Sequence, residues 1–301
     1  MRAIIAFLFL CFCVPAHGYG SMPCPSAQPS DIAIILAGQS NNGSYGDVGY
    51  QPQLSGTPGG DIQIWWGTGD CYPLNDGLAG FPPPWMPNSG GSIWTRFSQL
   101  LRDQNPTWTG RLIIVNIAQN GSPITSWANG VSGGNFPRIQ TAVSLLAAKG
   151  WAARAMVFLG GESDAMAPYD YNAVSAAITS MLSGIRGAGN TFSVFMGITS
   201  TCRAVPNPAK PNGIDGAGVD FESLAIPAAR DYRVSAQRMH QQSEVQRAVW
   251  NAFHAGAIQG IVNTDLISAT NRWDQCHMNS YAQWLAAQMT LDALTRSGLI
   301  P

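Results

Sequence analysis

Six short, almost unbroken apolar runs recur along the chain: 32–37 (IAIILA), 62–66 (IQIWW), 111–118 (RLIIVNIA), 154–159 (RAMVFL), 191–198 (TFSVFMGI) and 260–263 (GIVN). Runs that barely alternate with polar residues are strands buried on both faces. Between most of them lie stretches with helical spacing, at 93–104, 137–149, 169–186, 231–254 and 279–297. Strand and helix taking turns predicts an α/β fold, a parallel sheet covered by helices. Neither an internal repeat nor a linker interrupts the pattern. The 301 residues, 46% of them hydrophobic, suit one substantial core.

The formal charge is −1 with only 16 Lys and Arg, and no run of like charges occurs. Nucleic-acid partners are not expected, because counterion release needs clustered positive charge. Residues 1–20 begin with Arg2, continue through an apolar stretch from Ala3 to Val14 and end among small residues. Twelve apolar residues are too few to span a bilayer, so the segment reads as a removed signal peptide. A domain over 21–301, secreted or periplasmic and without a membrane span, is the expectation. Once the signal is removed, Cys24, Cys71, Cys202 and Cys276 remain. In an oxidising compartment they suggest two disulfides, with three pairings open. No zinc-finger or CxxC spacing occurs, and with four histidines a structural metal site is not expected.

In a parallel sheet, the residues that follow each strand gather on one edge, where ligands bind. After the first strand comes GQSN with Ser40, and after 111–118 comes QNGSPITSW with Gly121. After 154–159 comes GGESDA, and beyond the last strand DQCHMN with Asp274 and His277. Four polar, glycine-rich strand ends on one edge point to a site, and the chemistry that fits is acyl transfer to serine. A hydroxyl needs an adjacent base to take its proton, and the base needs an orienting acid. Asp274 and His277, three apart, present both side chains on one face of a turn. Backbone N–H groups of Ser40 and Gly121 suit an oxyanion, Gly121 because no side chain blocks approach. The long segments 67–92 and 199–230, rich in Pro and Gly, suit walls around such a site.

GQSN, GSPITSW, GGESDA and DQCH, in this order, resemble the four blocks of the SGNH hydrolase superfamily. The resemblance is nearest to its branch of acetylxylan esterases and sialate O-acetylesterase-like enzymes. It covers residues 38–277 and implies a three-layer α/β/α sandwich with a flavodoxin-like parallel sheet and no cofactor. It also implies hydrolysis of acetyl esters, commonly on carbohydrate. Ser40 matches the nucleophile, His277 the base, Asp274 the orienting acid and Gly121 the second-block oxyanion glycine. The third block departs: Gly160 stands where relatives carry Asn or Gln, so that donor is missing or replaced by Gln39 or Asn120. Position 42 also departs, with Asn for the usual Met, which reads as minor. Glu162 reads first as a strand-end carboxylate satisfied by backbone N–H groups; the alternatives are a brace for the nucleophile loop or the histidine, or an acid in place of or beside Asp274.

Cys276, next to the base, suits a disulfide to Cys202. Such a bridge is worth about 4 kcal/mol in a chain-entropy account and leaves Cys24 to pair with Cys71. Trp65, Trp66, Trp85 and Trp127 are candidates for stacking on sugar rings. Core packing is the plainer role for Trp65 and Trp127, and Trp85 is the one expected to be exposed. GVSGG at 130–134 matches a nucleophile elbow but follows no strand, so Ser132 is set aside. His240 and His254 read as ordinary helix residues, and the NGS sequons at 42–44 and 120–122 fall inside the proposed site. The expected function is a secreted serine esterase that deacetylates a polysaccharide or glycoconjugate. The alternatives are a lipase, arylesterase or acyltransferase of the same fold, or a carbohydrate-binding protein that has lost turnover.

Overall fold

Strand β1 (Ile32–Gly38) is buried along its whole length, as its sequence predicts, because apolar residues face both sides of the sheet. The computed structural model describes residues 21–46, 60–78, 90–166, 170–198, 236–267, 271–272 and 276–301. Next come β2 (Ile62–Trp65), β3 (Cys71–Pro73), helix α1 (Ile93–Gln104), β4 (Leu112–Asn116), α2 (Phe136–Ala148) and β5 (Ala153–Leu159). A five-residue helix α3 (Glu162–Met166) and α4 (Tyr171–Gly187) precede β6 (Ser193–Ile198). The chain closes with α5 (Ala236–His254), β7 (Gly260–Asn263) and α6 (Ser280–Arg296).

The described strands form one sheet in the order β3-β2-β4-β1-β5-β6-β7, parallel except for the β2–β3 pair. Counted along the chain, β4-β1-β5-β6-β7 carries the flavodoxin-like order 2-1-3-4-5, with the β2–β3 hairpin added outside β4. The odd-numbered residues Ala33, Ile35 and Ala37 of β1 pack with α2, α4 and α5. The even-numbered Ile32, Ile34 and Leu36 pack with α1 and α6 on the opposite face. The molecule is therefore a three-layer α/β/α sandwich.

Local chemistry sets the helix starts. Ser92, Asp170 and Asn279 accept the N–H of Trp94, Ala173 and Ala282 at the N-termini of α1, α4 and α6, and Pro137 opens α2. Strand β3 lies inside the segment read from sequence as loop, and Cys-Tyr-Pro is too short to show a period. Gly69, at φ +80°, turns the hairpin, and a Cys24–Cys71 disulfide ties its outer strand to the N-terminal segment. Residues 199–230 and most of the other long loop's tip, Trp85 included, lie outside the described residues. No described helix is long and apolar enough to cross a membrane.

Candidate active site

The four sequence blocks meet at the carboxyl edge of the sheet, where β1 and β5 end side by side. This is the topological switch point of the flavodoxin-like order, where the chain stops adding strands on one side of β1 and begins on the other. Ser40 opens a single 3-10 turn, Ser40–Asn42, directly beyond β1. Its Oγ lies 2.8 Å from His277 Nε2, the distance of a hydroxyl donating to an imidazole acceptor.

His277 reaches that position from the segment between β7 and α6. Its neighbours pin the loop: Arg272 pairs with Met278 in an isolated antiparallel bridge, and the Asn279 N–H donates to the Asn271 carbonyl at 2.9 Å. The buried Arg272 donates to the Cys276 carbonyl at 2.7 Å and to the Thr264 carbonyl at 3.4 Å, stitching the loop to the end of β7. Cys276 is disulfide-bonded; Cys202 and Asp274 both lie outside the described residues.

Asn41 joins three of the blocks. Its Nδ2 donates to Glu162 Oε1 at 2.7 Å and to the Cys276 carbonyl at 3.3 Å. Glu162 is 1% exposed, and among the described residues its Oε2 has no hydrogen-bond partner. Burial pushes its carboxyl above the usual range, while Asn41 and the charge of Arg272 pull the other way. Glu162 is thus tied to the Ser40 turn through Asn41.

Asn42, a minor departure by sequence, is a central support of the turn. It is fully buried, donates to the carbonyls of Ala37 and Val157 at 2.6 and 2.7 Å, and accepts from Trp94 Nε1 at 2.7 Å. One amide thereby fastens the Ser40 turn to β1, β5 and α1. Full burial also leaves no room for a glycan on the 42–44 sequon. The only hint in sequence was a polar residue at an apolar position, with no indication that Trp94 would answer it.

The second block is locked to the first and third. Ser122 Oγ donates to the Gly38 carbonyl at 3.1 Å and accepts from Trp127 Nε1 at 2.9 Å. Trp127 is fully buried, edge-on to Phe158, so the suggestion that it stacks on substrate is corrected: its indole is a core side chain. Trp65, for which core packing was the plainer reading, is 37% exposed at the hairpin edge. Gly121 has φ +65°, and a Cβ built on it would meet nothing within 4 Å. The backbone conformation there favours glycine. Ser132 lies in an exposed turn with no strand before it, and His254 is an exposed last residue of α5.

Asp164 holds the second block from below, accepting the N–H of Ile124 at 2.6 Å and of Thr125 at 3.5 Å. Burial pushes its carboxyl up to about 6. The native state therefore keeps a proton that the unfolded chain releases as pH rises past about 4. Stability from this group is present at low pH, falls between about pH 4 and 6, and levels off above, for a total of about 3 kcal/mol. Asp164→Asn, neutral at every pH, is expected to flatten the stability profile in that window. Urea unfolding of both proteins at pH 4 and 7 checks it, and parallel profiles would contradict the assignment.

Backbone and amide groups surround the other side of Ser40. Gln39 is 2% exposed, its N–H donates to the Leu159 carbonyl at 2.8 Å, and its Oε1 accepts from Ser163 N–H at 3.4 Å. Asn120 is exposed and its side chain hydrogen-bonds Tyr45. Tyr45, which sequence reasoning passed over, stacks on His277 with ring centroids 5.0 Å apart and planes at 23°. Among the described residues no cluster of three or more His, Cys, Asp or Glu is arranged to hold a metal.

No protein-family model and no curated protein matches the chain. Solved structures do. A protein from Arabidopsis thaliana is 14% identical with a TM-score of 0.62, matched over 89% of this chain and 99% of that one. NanS is 12% identical with a TM-score of 0.54, over 88% and 96%. A carbohydrate acetylesterase from Xanthomonas citri is 13% identical with a TM-score of 0.48, over 88% of this chain and 56% of that one. With the first two, the chain shares the fold alone. The chain resembles SGNH hydrolases in its four ordered blocks and has the three-layer α/β/α fold which that resemblance implies.

Proposed function

We propose that this protein is a secreted or periplasmic serine esterase that removes O-acetyl groups from carbohydrate. The observation that carries the reading is the 2.8 Å contact between His277 Nε2 and Ser40 Oγ at the switch point of the sheet. In this reading His277 takes the Ser40 proton as Oγ attacks the ester carbonyl. The N–H groups of Ser40 and Gly121 receive the oxyanion, and His277 returns the proton to the departing sugar oxygen. Water then repeats the sequence on the acetyl-enzyme. Asp274 orients the imidazole. Glu162 supports the turn instead, since its hydrogen bond goes to Asn41.

Gly160 leaves the third block without a side-chain donor. Gln39 is the better placed replacement, because its oxygen is turned to Ser163 N–H and its NH2 is left to donate. Asn120 is engaged by Tyr45. Gly160 is also the feature that favours a second reading, a carbohydrate-binding protein without turnover.

The test is acetate release from acetylated xylan, with p-nitrophenyl esters of two to eight carbons alongside. Hydrolysis of acetyl esters on both small and polymeric substrates is the expected result. A preference for long acyl chains would move the assignment to a lipase. Binding of acetylated polymer without any release would move it to the second reading.

A further inference from the structure

Resting on the serine-esterase reading, we propose that Tyr45 is a positioning residue for the base: it fixes the plane of the His277 ring and lies against the imidazolium as that charge forms. The ring is stacked on His277 at 5.0 Å and 23°, within the range of genuine aromatic contact. Its hydroxyl is tied to Asn120, the residue before Gly121, so one side chain links the base to the loop expected to hold the oxyanion.

The backbone that presents Tyr45 is itself held. The Gly46 N–H donates to the Gly91 carbonyl at 2.8 Å, and the Gly90 N–H returns to the Gly46 carbonyl at 3.0 Å. Gln283 of α6 occupies the space beside Gly46: its Nε2 lies 1.2 Å from where a Cβ would stand. The same Nε2 donates to the carbonyl of Met278, next to the base, at 3.3 Å. The Tyr45 loop and the His277 loop are thus packed through one glutamine. Hydrogen bonds at the ring nitrogens act in the plane of the imidazole, and a flat aromatic face beside it resists tilting out of that plane. The same face carries negative quadrupole density, which favours a cation lying over it.

The role has a chemical signature. A sugar or alkyl alkoxide needs a proton from the imidazolium to leave, whereas p-nitrophenolate leaves without one. A misplaced or less stabilised imidazolium therefore harms poor leaving groups more. Tyr45→Leu is expected to lower kcat/KM, which reports acylation, by about 3- to 30-fold on an alkyl acetate and by a smaller factor on p-nitrophenyl acetate. Tyr45→Phe keeps the stacked ring and is expected to stay within about threefold of wild type on both.

Equal losses on the two esters, or no loss in Tyr45→Leu, would overturn the proposal; so would a Tyr45→Phe variant as impaired as Tyr45→Leu. Wild type and Ser40→Ala are run beside them. A wild-type protein that hydrolyses neither ester, and whose Ser40 is not labelled by a fluorophosphonate, sinks the esterase reading and this inference together. Ser40-dependent hydrolysis with any of the overturning patterns sinks the inference alone.

Discussion

Ser40→Ala is expected to lower ester turnover by on the order of 10⁴-fold or more while leaving the fold unchanged. The size follows from how the parts act. On the proposed reading, base, oxyanion donors and substrate contacts remain in the variant, but no covalent intermediate forms, so the base has only water to activate. In serine hydrolases the residual rate comes from the oxyanion site and binding alone. His277→Ala removes the other half of the same unit, so the double variant is expected to be no slower than either single one. Stability is expected to change little. Ser40 is 3% exposed, but its turn is held by Asn41, Asn42 and the Gly43 N–H bond to its own carbonyl, none of which uses the hydroxyl. Steady-state kinetics on p-nitrophenyl acetate, with thermal melts of each variant, measure both effects. Ser40→Ala activity above about 1% of wild type, in a protein freed of wild-type contamination, would place the nucleophile elsewhere.

The strands could be read from sequence because a parallel sheet buries both faces, and only a long apolar run satisfies that. β1, β4 and β5 each match a run to within two residues at either end. β3 could not be read, since three residues carry no period and its pairing depends on a glycine turn and a disulfide. Ser40, Gly121, Glu162 and His277 stood out because polar residues ending apolar strands gather on one edge of the sheet. Their supports were hidden for a different reason. Asn42, Asn41 and Tyr45 act through partners distant in sequence: Trp94, Glu162 and His277. Nothing local announces such a pair. Asp164 shows the same limit: GGESDA marks the block, but the two N–H groups it satisfies lie 39 and 40 residues earlier in the chain.

Gly38→Ala is expected to cost about 3 kcal/mol or more of stability. Gly38 is the last residue of β1, with φ +103°, a conformation that L-residues rarely adopt. A Cβ there would lie 2.0 Å from the Leu159 carbonyl oxygen and 2.6 Å from its carbon. Both are backbone atoms of the neighbouring strand, so no rotamer change relieves the clash. The close approach is what lets Gln39 N–H bond that same Leu159 carbonyl at 2.8 Å. The Gly38 carbonyl also receives Gln119 N–H at 2.9 Å and Ser122 Oγ at 3.1 Å. Separating the ends of β1 and β5 therefore disturbs three blocks at once, and activity is expected to fall even where the variant remains folded, because Ser40 sits two residues on. Gly160→Ala is the control. Its φ is ordinary, and the tightest contact of its Cβ would be 2.9 Å to Phe158 Cε1, a side-chain atom that can give. Urea unfolding should rank Gly38→Ala well below Gly160→Ala. Equal stability for the two would mean that the strands do not meet at Gly38, and that the placement of Ser40 needs another explanation.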